Sequence, residues 1–166
     1  MDKLYKTTIW SQFGAAIDSL QNAIDHCPEE IWADRNRKPE YWYLAYHTIF
    51  FLDFYLTGQD DDFTPPEPFT LSELDPSGVM PERVYTKDEL LIYLEHGRQK
   101  ARRAVGDMTD EWADRQYKFG KVSLSYGELL LYIMRHIQHH AAQLNLILRQ
   151  SIDSAPGWVF KARDDL

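Results

Sequence analysis

Apolar residues return at three- and four-residue intervals along four stretches of this chain, the mark of helices that each bury one face. The first stretch runs from Leu4 to Asp25 and sets Ile9, Phe13, Ile17, Leu20 and Ile24 on one stripe. Pro28 ends it, and Pro28-Glu29-Glu30-Ile31-Trp32 is expected to form a short helical turn of its own. The second stretch runs from Glu40 to Thr57, between Pro39 and Gly58. The third opens with Thr86-Lys87-Asp88-Glu89, a capping box in which Thr86 and Glu89 satisfy orphan backbone donors reciprocally. Its stripe is Leu90, Leu91, Leu94, Ala101, Val105 and Met108. The fourth opens with a second capping box, Ser125-Tyr126-Gly127-Glu128, and continues to about Gln150. No stretch shows the sustained alternation of a half-buried strand, so the expected class is all-α.

The segment from Gly58 to Tyr85 holds five of the eight prolines and opens with Asp60-Asp61-Asp62. A connection of that length is uncommon unless it is functional or has to cross the bundle. One long crossover between the second and third helices lets neighbours in a four-helix bundle run parallel. No internal repeat, low-complexity tract or dividing linker is present, so residues 1–166 read as a single helical-bundle domain. The tail breaks the last helix at Ala155-Pro156-Gly157-Trp158.

Composition narrows the function classes. Of 166 residues, 44% are hydrophobic and 14% aromatic, enough for a core without disulfides or a structural metal and incompatible with general disorder. The net charge of −8, from 26 acidic and 18 basic residues, argues against nucleic acid and anionic membranes as partners. The most apolar window, Tyr41 to Leu56, contains His47 and Asp53 and is too short to span a bilayer. The N-terminus shows no secretory signal. The single cysteine, Cys27, cannot form an internal disulfide, which fits a reducing cytoplasmic setting.

Three of the six histidines fall within Arg135-His136-Ile137-Gln138-His139-His140 of the fourth helix. At about 100° per residue, His136 and His140 lie roughly 40° apart and one turn along, the spacing at which two imidazoles on one helix share a metal ion. The stripe of Leu129, Leu130, Ile133, Ile137, Leu144, Ile147 and Leu148 places His140 near its middle and His136 at one margin. His139 projects further round, as a surface residue or a proton relay. A histidine on an apolar face is commonly a core side chain satisfied by a carbonyl or a tyrosine, and for the pair alone the metal and structural readings stand level.

The second helix is apolar on nearly every face, so it is either central or covered by a second subunit. His47 shares a stripe there with Leu44, Phe51 and Phe54, and is the one inward nitrogen ligand the pattern offers outside the fourth helix. Asp53 projects to the far side as a surface or interface carboxylate. Three neutral imidazoles with an open position suit Zn(II), Ni(II) or a similar borderline ion carrying a reactive water.

A lone histidine in the second helix, a long crossover and then His136-x-x-His139-His140-x-x-Gln143 in the last helix resemble the DinB/YfiT-like metalloprotein superfamily. The resemblance covers essentially the whole chain, including the capped start Ser125-Tyr126-Gly127-Glu128. Family members often carry Arg-Gly before the glutamine, where this chain has Ala141-Ala142. The resemblance implies a four-helix bundle whose metal ligands are His47, His136 and His140. It also implies a metal-dependent enzyme acting on a small molecule, either a thiol-dependent S-transferase or isomerase using a low-molecular-weight thiol, or a hydrolase. The alternative is a non-catalytic, stress-associated binding protein with a structural or vestigial metal site. Under either reading a homodimer is expected.

The remaining candidates have plainer expectations. His26 and His96 read as solvated. Asp60-Asp61-Asp62 lacks the spacing of a calcium loop. Arg98 projects onto the apolar stripe beside Leu94 and Ala101, where it snorkels outward or anchors an anionic substrate. Cys27 lacks the cationic surroundings of a nucleophile.

Overall fold

Asp2 accepts the backbone N–H of Leu4 and starts the first helix, α1 (Lys3–His26), in a computed structural model that describes residues 2–58 and 62–166. There follow α2 (Glu29–Trp32), α3 (Tyr41–Thr57), a 3-10 turn at Leu71–Leu74, α4 (Lys87–Asp107), α5 (Asp110–Asp114), β1 (Gln116–Phe119), β2 (Val122–Ser125) and α6 (Tyr126–Ile152). Both capping boxes form: Thr86 with Glu89 opens α4, and Ser125 with Glu128 opens α6. The class is all-α.

The two short strands add a hairpin that periodicity did not show. They pair antiparallel, with Gln116 opposite Ser125 and Phe119 opposite Val122. Gly120 takes φ 56 in the two-residue turn, a conformation that suits glycine. Four residues are too few for sustained alternation, and in β1 only Tyr117 is buried. The hairpin abuts the start of α6, where the Tyr126 N–H donates to the Arg115 carbonyl at 2.9 Å.

Helices α1 and α3 each pack against both α4 and α6, so α1 and α3 lie on one diagonal of the bundle. Along α3, His47 meets His140, Phe51 meets His136 and Tyr55 meets Tyr132, so α3 and α6 run antiparallel. Tyr46 meets Tyr85 just before α4, while Asp53 meets Lys100 further along, so α3 and α4 run parallel. A parallel neighbour requires the chain to travel back along the bundle, which is the task of the crossover. Phe69 stacks on Tyr93 at 4.4 Å and the Tyr46 hydroxyl donates to the Thr70 carbonyl at 3.0 Å, tying this segment down. Gly97 of α4 leaves room for the Leu52 side chain of α3: a Cβ there would sit 2.8 Å from Leu52 Cδ2.

Phe13, Ile17, Leu20 and Ile24 of α1 are wholly buried, each stabilising the fold by roughly 1.5–3 kcal/mol. Helix α3 is central in its own bundle: only Tyr43, His47, Phe51, Phe54 and Thr57 are half-buried, and the rest of it is covered. Its own bundle therefore covers most of its apolar surface. It also corrects the placement of Asp53, which is 1% exposed. The side opposite the histidine stripe faces α4, where Lys100 Nζ reaches Asp53 Oδ1 at 2.6 Å and the Tyr93 hydroxyl donates to Oδ2 at 3.1 Å. A wheel drawn on one helix cannot show that a second helix covers its polar margin.

Arg98 neither snorkels nor waits for a substrate. Its guanidinium donates to Asp18 Oδ1 at 2.7 Å and to Gln21 Oε1 at 2.8 Å, and pairs with Glu95 at 3.1 Å, tying α4 to α1. The tail lies along α1: Ala162 N–H donates to the Ser11 carbonyl, Arg163 N–H to Asp18 Oδ2, and Trp10 Nε1–H to the Asp164 carbonyl. Asp60 and Asp61 lie outside the described residues; Asp62 is exposed. No helix among the described residues is long and apolar enough to cross a membrane.

Candidate metal centre

The half-buried stripe of α3 faces the margin of α6 that carries His136 and His140. Antiparallel packing therefore brings a histidine from the middle of one helix beside a pair from the middle of the other. His47, His136 and His140 each offer one ring nitrogen to a group whose members lie within 4.8 Å of one another. Ring centroids are 5.4 Å apart for His47 and His136, 5.0 Å for His47 and His140, and 4.5 Å for His136 and His140. Phe51 borders His47 at 4.8 Å and His136 at 6.0 Å, giving the site an apolar wall.

Hydrogen bonds set which nitrogens point inward. His140 Nδ1 lies 2.7 Å from Gln143 Oε1, and His47 Nδ1 lies 2.6 Å from Glu73 Oε2. Oxygen acceptors require N–H donors, so both rings carry a proton on Nδ1 and turn Nε2 towards the group, where the neutral His140 presents a lone pair. His140 Nε2 is 3.0 Å from His136 Nε2. With His140 protonated on Nδ1, the His136 Nε2–H donates to the His140 lone pair, and the buried His136 Nδ1 has no hydrogen-bond partner among the described residues. Burial first, then the neighbouring imidazoles, push the His136 pKa down from 6.5 to about 3. Burial likewise lowers that of His140, against the opposing pull of Gln143. Both rings are thus neutral at physiological pH, the state a metal ligand must have.

This donor set fits a divalent ion of the borderline class. His47, His136 and His140 would hold it through one ring nitrogen each, and it would supply Lewis acidity there. No second group of this kind exists among the described residues.

Sequence reasoning missed Glu73. It sits in the 3-10 turn of the crossover, yet its side chain is 3% exposed and touches His47. Tyr43 lies beside His47, ring centroids 6.4 Å apart, and burial first, then the Glu73 carboxylate, hold its hydroxyl above its usual pKa. No periodicity marks a lone carboxylate in an irregular segment; the only available sign was the length of the crossover itself.

The other candidates lie elsewhere. His139 is exposed, its ring 5.1 Å from that of His140. His26 is exposed and bonds Ser154 at 2.9 Å, and His96 is half-exposed, 3.5 Å from Asp53. Cys27 is buried, and burial pushes its thiol up to about 12, which removes it as a nucleophile.

Among known proteins, one family model matches residues 12–144, and its description is the DinB superfamily. That span runs from α1 through the histidine motif of α6. No curated protein and no solved structure matches the chain.

Proposed function

For this chain, which belongs to the DinB superfamily, we propose a metal-dependent enzyme acting on a small molecule. Its divalent ion, Zn(II) or Ni(II), is held by His47, His136 and His140. The observation that carries the reading is the convergence of three imidazoles, two with Nδ1 already committed to an oxygen acceptor. A bound ion would supply Lewis acidity, lowering the pKa of a thiol or of water beside it. The reaction we favour is transfer of a low-molecular-weight thiol to an electrophile, with hydrolysis as the alternative within the same chemistry. The chain's own contribution is positional: Glu73 and Gln143 orient two of the rings, and Phe51 narrows water access beside them.

A cytoplasmic location belongs to this reading, supported by the free, buried Cys27. So does a homodimer, to be read from solution mass. The alternative is a non-catalytic, stress-associated binding protein, for which the half-buried aromatic stripe of Tyr43, Phe51 and Phe54 on α3 speaks.

The test incubates Zn(II)- or Ni(II)-loaded protein with low-molecular-weight thiols and a reactive electrophile. Thiol consumption well above buffer, lost in His140→Ala, is expected. Consumption equal to buffer across a broad panel of thiols and electrophiles contradicts thiol transfer.

A further inference from the structure

We propose that Glu73 is a positioning residue for His47, and that a metal ion on the far nitrogen of His47 supplies its counter-charge; this rests on the metal-binding reading above. The argument begins from how this protein treats its other buried carboxylates. Asp18 is paired with Arg98 at 2.7 Å, Asp53 with Lys100 at 2.6 Å and Glu40 with Arg35 at 2.9 Å. Each follows the rule that a buried charge needs an opposite charge beside it. Glu73 is as buried as these, yet among the described residues its ion-pair contact is the imidazole of His47. Its second oxygen, Oε1, is buried with no hydrogen-bond partner among the described residues, and the Tyr43 hydroxyl that faces this carboxylate brings no charge.

A carboxylate accepting from a neutral imidazole obtains a hydrogen bond without charge compensation. A divalent ion on Nε2 completes the arrangement, because the ring transmits polarisation from the ion to Nδ1–H and so to Glu73. Carboxylate–histidine–metal relays of this kind orient the ring, fix its tautomer and raise its basicity. The crossover is thereby part of the centre: the segment that returns the chain for parallel packing also delivers the carboxylate. Gln143 performs the orienting half of the task for His140 without charge.

The test titrates metal-free wild type, Glu73→Gln and Glu73→Ala with Zn(II) against a chromophoric chelator, with helical content checked by circular dichroism. It also records the 15N spectrum of His47 in each metal-free protein. Glu73→Ala should bind Zn(II) 10- to 100-fold more weakly than wild type, the usual effect of losing an outer partner. Glu73→Gln, whose amide oxygen still accepts from Nδ1–H, should fall between them. In the metal-free spectra the Nδ1–H tautomer should dominate in wild type and give way to a mixture in Glu73→Ala. Zn(II) affinity in Glu73→Ala equal to or above that of wild type overturns the proposal, and shows a simple ion pair with protonated His47 instead. If wild type itself fails to bind Zn(II), the metal reading falls. The tautomer then decides the positioning claim alone, and a His47 tautomer unchanged in Glu73→Ala overturns that too.

Discussion

His136 is the residue at which packing and protonation are most tightly linked. Its folded pKa, about 3, lies far below the 6.5 of a free imidazole because burial and the adjacent rings oppose a charge. As pH falls through 6.5, the unfolded chain takes up this proton while the folded chain does not. Stability is therefore fully present above that value and lost progressively on acidification towards pH 3, and His140 acts in the same direction. In the metal-free protein, the denaturation midpoint should drop between pH 7.5 and 5, above the range where ordinary carboxylates titrate. The drop should be shallower in His136→Phe; equal slopes in the two proteins would contradict the account. Residues were unevenly legible at this scale. His136 and His140 were readable because their spacing is a property of one helix. Asp53 and Glu73 were not, because their partners Lys100 and His47 come from elements that meet only in the folded chain.

At the scale of elements, local chemistry announced the main helices. The hydroxyl and carboxylate of each capping box are three residues apart, so Thr86 with Glu89 and Ser125 with Glu128 fix where α4 and α6 begin, whatever the rest of the chain does. The hairpin carried a weaker signal: Gly120-Lys121 between Tyr117-Lys118-Phe119 and Val122-Ser123-Leu124 is a two-residue turn, but each arm is too short to show a period. The tail had no periodic signal at all, and its place depends on α1. A Cβ at Gly14 would stand 2.5 Å from that of Ala162, so absence of a side chain there is what lets the tail lie down. Gly14→Ala should gain about 1 kcal/mol of helix propensity and yet lift the tail. Trypsin should then cut after Lys161 and Arg163 at least about 10-fold faster, with helical content unchanged. Cleavage at the wild-type rate would show that the strap is not held by this approach.

For the whole molecule, the arrangement of four helices decides where chemistry can occur. The crossover makes α3 and α4 parallel and leaves α3 and α6 antiparallel, so His47 comes level with the His136–His140 pair. The same crossover lays Glu73 behind His47. The bundle and the need for a long return were legible in the sequence from helical periods and proline content. That the return would touch the site was not, since nothing in an irregular segment encodes its neighbours. The central claim is that these three histidines hold a metal ion. Elemental analysis of protein purified without a histidine tag, on wild type and His140→Ala side by side, tests it most directly. Stoichiometric zinc or nickel in wild type with little in the variant is the predicted result. No metal in either protein, and no uptake on adding Zn(II) or Ni(II), would contradict the account and make the cluster a structural one.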